Sequence, residues 1–155
     1  MPTIRKALPE DAPLLTQIAL SAKQYWGYPE HWIKHWEADL TISEDFIRHN
    51  EVFVAEDNGE IRGFYALRVN GPKAELEHMW VAPAYIGTGV GKELFLDAMN
   101  RSTSLNVRQV SITADPNAAG FYARMGATQV GEFESEIDGT PRKLPLMTIE
   151  PPFES

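Results

Sequence analysis

The chain has 155 residues, 43% apolar and 23% charged, a balance that can bury one continuous core and fits one domain spanning 1–155. It has no cysteine, which excludes disulfides, thiolate metal sites and a cysteine nucleophile. Its formal net charge of −8 argues against a nucleic-acid partner, whose phosphates call for clustered Lys and Arg. The opening residues lack the apolar core of a signal peptide and no apolar run reaches the length of a membrane span, so a cytoplasmic protein with no membrane partner is expected.

In chain order, Thr3 to Ala7 reads as a first strand. Pro9-Glu10-Asp11 then opens a helix from about Ala12 to Gln24, with Asp11 as its cap and Leu14, Leu15, Ile18 and Ala22 at helical spacing. Tyr25 to Trp36 packs five aromatics and two histidines into twelve residues. Within it Pro29 is placed to start a second helix, and further on Ser43 can cap a short third one reaching about Arg48. Glu51 to Glu56 and Ile61 to Val69 are strands joined by Asp57-Asn58-Gly59, an Asn-Gly hairpin signal, and a third strand, Ala74 to Val81, follows Gly71-Pro72. Val90, Leu94, Phe95 and Ala98 mark a helix, Val107 to Thr113 a strand, and Asn117 to Met125 a helix stopped by Gly126. Thr128 to Phe133 and Leu144 to Ile149 close the chain as two strands around Asp138-Gly139. This order predicts an α/β (α+β) protein: a single mixed, mostly antiparallel sheet flanked by helices.

Ile86-Gly87-Thr88-Gly89-Val90-Gly91-Lys92 lies between a strand and a helix, where unpaired amides and the helix dipole favour an anion. A dinucleotide fingerprint fails because Lys92 and Leu94 stand where its last glycine belongs, and a P-loop fails at Ile86 and Glu93. The spacing that fits is three residues, Gly89, one residue, Gly91, ahead of a helix and after Val81-Ala82-Pro83. A second motif, Asn117-Ala118-Ala119-Gly120-Phe121-Tyr122-Ala123-Arg124-Met125-Gly126-Ala127, follows beyond one helix and one strand. With both in that order, the chain resembles the GNAT superfamily of acetyl-CoA-dependent N-acetyltransferases, and the GNAT fold is implied. Ile86 stands where the family has Arg or Gln, and Ala127 where it usually has Phe; a cradle made of backbone amides survives the first change.

The resemblance implies acetyl-CoA as cofactor and direct attack of an amine on the thioester. An amine is protonated near neutral pH, so a base must take its proton. Period-2 geometry puts Glu75, Glu77, Met79 and Val81 on one strand face, with Glu77 the first choice of base, Glu75 the second, and His78 a weaker one on the opposite face. Family likeness assigns backbone groups of Met79, Trp80 and Val81 to the pantetheine arm, at a bulge. It assigns Ile86, Gly87, Thr88, Gly89, Val90, Gly91 and Lys92 to the pyrophosphate, Asn117 to a pantetheine amide and Arg124 to the 3'-phosphate. Tyr122 matches the position that protonates the leaving thiolate. Trp26 and Tyr28 are candidates to stack on the acceptor, while Trp32 and Trp36 read as packing residues and His31 with His35 as a surface pair rather than a metal site. A small-molecule amine acceptor and a homodimer complete the expectation, with a protein lysine or N-terminal acetyltransferase as the alternative and, given Ile86, a non-catalytic acyl-CoA-binding module as the second.

Overall fold

The computed structural model describes residues 2–152. The strands are β1 (Thr3–Lys6), β2 (Glu51–Asp57), β3 (Glu60–Asn70), β4 (Lys73–Val81), β5 (Gln109–Thr113), β6 (Thr128–Ile137) and β7 (Thr140–Ile149). The helices are α1 (Ala12–Tyr25), α2 (Glu30–Leu40), α3 (Glu44–His49), α4 (Val90–Ser104) and α5 (Ala119–Arg124). All seven strands join one sheet in the order β1-β2-β3-β4-β5-β7-β6, antiparallel at every pairing except β4 with β5.

Alternation along the central strands divides the core into two layers. Val52 and Val54 of β2 and Phe64 and Ala66 of β3 pack with Leu15 and Ala19 of α1, Leu40 of α2 and Ile47 of α3. Tyr65 and Leu67 point the other way, onto Leu94, Phe95 and Ala98 of α4. The Tyr65 hydroxyl is satisfied by donating to the Asp97 carboxylate at 2.7 Å.

Several boundaries differ from the sequence expectation for identifiable reasons. The stretch from Val107 is not yet strand, because the Val107 N–H closes α4 on the Ser102 carbonyl after Asn106 turns left-handed (φ 61°), and β5 begins only at Gln109. Asn117 lies in the turn ahead of α5, which begins only at Ala119 and has no side-chain cap: there the Asp115 carboxylate accepts from the Asn117 N–H at 2.8 Å and its carbonyl from the N–H groups of Ala118 and Ala119. Asp11 likewise turns its carboxylate back onto the Leu8 N–H and onto Arg5, leaving no side-chain cap on α1. Ser43 does cap α3, accepting from the Phe46 N–H. The β6–β7 hairpin is longer than its prolines suggest, because β7 gains its second neighbour, β5, only from Leu146 onward; Pro141 and the strand around it have a single partner.

The sheet is tightest where β3, β4 and α4 meet. A methyl added at Gly63 would lie 2.8 Å from the Trp80 carbonyl oxygen and 3.0 Å from Leu94 Cδ1, and backbone cannot yield as a side chain can. Gly63→Ala is therefore expected to cost roughly 1–3 kcal/mol, read as a lower urea midpoint; a midpoint equal to wild type would contradict this packing.

Candidate active site

β4 and β5 pair over only three residues, Lys73 to Glu75 against Gln109 to Ser111. Past that point they part, and β4 from Leu76 to Val81 keeps β3 on one side and has no strand on the other. The gap opens into a cavity of about 700 Å³ lined by β4, the glycine loop, the end of β5, α5 and parts of α1, α2 and β7.

A bulge at Glu77 shapes the β4 wall. Ala66 of β3 faces His78, but the next residue, Leu67, faces Leu76, so Glu77 is the extra residue of β4. The bulge resets the alternation. Ala74 and Leu76 before it and Met79 and Val81 after it all pack toward α4, whereas His78 stacks near Phe46 and Phe64 on the other face. The single face expected for Glu75, Glu77, Met79 and Val81 is thus not formed. Glu77 lines the cavity and Glu75 does not. Burial pushes the Glu77 carboxyl above the usual range, and the charge of Glu75 adds to this, while an ion pair with Arg68 opposes it.

His78 also lines the cavity. Its Nδ1 accepts from Trp80 Nε1, an N–H that can only donate, so the remaining proton sits on Nε2. Burial pulls its pKa down to about 4. Near neutral pH it is an uncharged ring with its basic nitrogen already used.

The glycine loop is open to the cavity. Its Ile86 and Thr88 N–H groups bond to the carbonyls of Pro83 and Tyr85, but among the described residues those of Gly87, Gly89, Val90, Gly91 and Lys92 have no backbone acceptor. Gly87 (φ 84°) and Gly89 (φ 91°) hold the left-handed conformations that aim these amides together at the start of α4. Ile86, Gly87, Gly89, Gly91 and Lys92 line the cavity; Thr88 turns its hydroxyl onto the Tyr85 carbonyl, and Val90 is buried in the core, so these two have only backbone to offer.

Opposite β4, Tyr122 of α5 is 7% exposed and lines the cavity, and among the described residues its hydroxyl has no hydrogen-bond partner. Burial, and then the charge of Asp115, raise its pKa well above that of a free phenol, so it stays protonated. Asn117 and Arg124 line the same space.

The end of the cavity where α1, α2 and β7 meet holds residues that sequence reasoning passed over. Asp115, just past β5, accepts from Lys23 Nζ at 2.7 Å, from the Tyr28 hydroxyl at 3.0 Å, and from the backbone and side chain of Asn117. The Tyr28 hydroxyl in turn accepts from Asn117 Nδ2 and Arg142 Nη2. Tyr28 does not line the cavity; it stands behind it, and its ring and that of Trp36 are covered by Lys23 and Arg142. Trp36, expected only to pack, lines the cavity together with Trp26. The signal for Lys23 was its place on the apolar stripe of α1, one turn after Ala19 and two after Leu15. Arg142 carried no comparable signal, since only the hairpin folding back brings it here.

This arrangement can be set beside known proteins. Residues 17–141 match the model of the acetyltransferase (GNAT) domain. The chain belongs to the GNAT acetyltransferase family. This GNAT chain is 33% identical over 138 residues to the 5-NmdU N-acetyltransferase of Pseudomonas phage PaMx11, a match covering 85% of this chain and 91% of the relative. Among solved structures it is similar to a GCN5-related N-acetyltransferase from Rhodopseudomonas palustris (TM-score 0.80, 24% identity, 97% of this chain and 96% of that one). It is also similar to the PaiA N-acetyltransferase of Thermoplasma acidophilum solved with coenzyme A (TM-score 0.76, 22% identity, 97% and 99%). The GNAT chain is an N-acetyltransferase, and acetyl-CoA is the family's cosubstrate. The free amides of the glycine loop, on a turn where added methyl groups at Gly87 and Gly89 would meet nothing, fit a diphosphate.

Asp115 is the anchor of the end of the cavity between α1 and β7. Burial raises its carboxyl, but the hydrogen bond and charge of Lys23, with the Asn117 N–H and Tyr28, bring it below the usual carboxylate range. Its contribution to stability is therefore present above the ordinary carboxylate pKa and lost as pH falls through its lowered value. Asp115→Ala leaves Lys23 buried without a counter-charge and should cost about 3–5 kcal/mol in urea unfolding at neutral pH; a loss under about 1 kcal/mol would mean the pair is not desolvated.

Proposed function

We propose that this enzyme acetylates the primary amine of a small molecule by direct attack on the thioester of acetyl-CoA. Glu77 is the base and Tyr122 the acid. The observation that carries the reading is that Glu77 bulges from β4 where β4 leaves β5, while the unpartnered hydroxyl of Tyr122 lines the same gap. A carboxylate whose pKa burial has raised accepts a proton from an amine better than an ordinary one, and a phenol that stays protonated can supply one to a departing thiolate. Glu75, off the cavity wall, acts through its charge on Glu77. His78 has its basic nitrogen committed to Trp80 and is a poor base.

In this reading the loop amides from Gly87 to Lys92 hold the diphosphate, with Lys92 and Arg124 adding charge. The open edge at Met79, Trp80 and Val81 pairs with the pantetheine arm as another strand would. Asn117 donates its Nδ2 protons to Tyr28 and Asp115, which leaves its carbonyl oxygen to accept from a pantetheine amide. Ile86 offers the loop no side-chain donor. The whole chain acts as one such domain, as a homodimer in the cytoplasm; among the described residues no helix is long and apolar enough to cross a membrane.

The test is release of free thiol from acetyl-CoA over a panel of free amines, 5-NmdU included, beside peptides with free N-termini and lysines. Turnover of small amines is expected; turnover of peptides alone would make this a protein acetyltransferase. Glu77→Gln should lower kcat by about 10²- to 10⁴-fold while calorimetry shows unchanged affinity for coenzyme A, and full-rate turnover would remove Glu77 from the base role. Tyr122→Phe should slow the reaction by roughly tenfold or more with the fold intact by circular dichroism.

The pH profile gives an independent check. A base works deprotonated, so kcat falls as pH drops through the Glu77 value, which lies above that of a free carboxylate. Because Arg68 pulls that value down, Arg68→Ala should move the acid limb to higher pH, and an unmoved limb would assign it to another group.

A further inference from the structure

The cavity is polarised in a way that the net charge of −8 conceals. On the β4 side it is lined by Glu77 and by Asp39 of α2, whose charge reaches His78. At the far end, two cations, Lys23 and Arg142, share the single carboxylate of Asp115. That carboxylate is fully subscribed: Lys23, Tyr28 and two donors of Asn117 occupy its oxygens, and Arg142 Nη2 comes no nearer than 4.0 Å.

Arg142 is the group left over. Its side chain is 12% exposed, and its guanidinium lies over the rings of Tyr28 and Trp36, 5.1 and 4.9 Å from their centroids. Nη2 donates to the Tyr28 hydroxyl at 2.9 Å, while Nε and Nη1 have no partner among the described residues, although the side chain lines the cavity. Nε and Nη1 open onto the cavity without an acceptor among the described residues, and an oxyanion is the group that best satisfies donors on a fixed cation. The same geometry argues against a cationic group at this end, since Lys23 and Arg142 already cover the two aromatic faces that would attract one.

We propose that Arg142 receives an oxyanion, a carboxylate or a phosphate, carried by the acceptor on the same molecule as its amine. The inference rests on the amine-acetyltransferase reading and adds to it: the amine lies toward Glu77 and Asp39, the anion toward Arg142. Asp115, through the Tyr28 hydroxyl that bonds both it and Arg142, positions the guanidinium and does not touch the acceptor anion.

Matched acceptors test this by thiol release from acetyl-CoA: β-alanine against propylamine for a carboxylate, and phosphoethanolamine against ethanolamine for a phosphate. At least one anionic member should exceed its neutral partner roughly tenfold or more in kcat/KM, and the arm that does so identifies the anion. Arg142→Met should erase that preference through KM for the anionic member, with Arg142→Lys restoring part of it, and a loss confined to kcat would contradict an anion-binding role. Neutral members used as well as or better than anionic ones in both arms would overturn the subsite while leaving the acetyltransferase reading intact. Thiol release with peptides but with no free amine would overturn both.

Discussion

The separation of β4 from β5 is the constraint on which the site depends. Two parallel strands that stayed paired would close the sheet. Here pairing stops after Glu75 and Ser111, and the bulge at Glu77 falls immediately beyond the last pair. A bulge increases local twist and turns the strand away from its neighbour. What remains is an edge of β4 inside the molecule, with backbone groups that must find water or a ligand because each would otherwise carry a penalty of about 1–3 kcal/mol. Glu77, the glycine loop at the next turn of chain and Tyr122 across the gap all take their positions from that opening.

The other end of the gap is held by charge. Asp115 lies between β5 and α5, accepts from the Asn117 N–H in the turn before α5 and binds Lys23 of α1, so one carboxylate ties together elements separated by 92 positions in the chain. Arg142 joins from β7, and His31 Nε2 of α2 lies 3.0 Å from Asp138 Oδ2 in the turn of the same hairpin. The first two helices and the last hairpin thus form one wall of the cavity.

Much of this was legible in the sequence, where local chemistry decides. The glycine spacing from Ile86 to Gly91 and the second motif from Asn117 pointed to residues that line one cavity, and caps and turns such as Ser43 and Asn58-Gly59 gave the element order. What could not be read were the features made by distant residues. A period-2 rule cannot anticipate the bulge that separates Glu77 from Met79, because the extra residue is defined only against β3. Tyr28 looked like an acceptor contact from its aromatic neighbourhood, yet its hydroxyl belongs to Asp115, Asn117 and Arg142, and the half-buried Trp36 lines the cavity instead. Pro141 concealed the length of the hairpin that delivers Arg142.

The unpaired amides at the start of α4 and the freed edge of β4 are proposed to receive one extended ligand together. Amide chemical shifts of the isotopically labelled protein, followed during titration with coenzyme A, address this directly. Saturable shifts are expected at Gly87, Gly89, Val90, Gly91 and Lys92, accompanied by shifts at Met79 to Val81, with β1 and the outer edge of β6 unmoved. Saturation that leaves the loop amides in place, or shifts gathered on another face of the sheet, would contradict it.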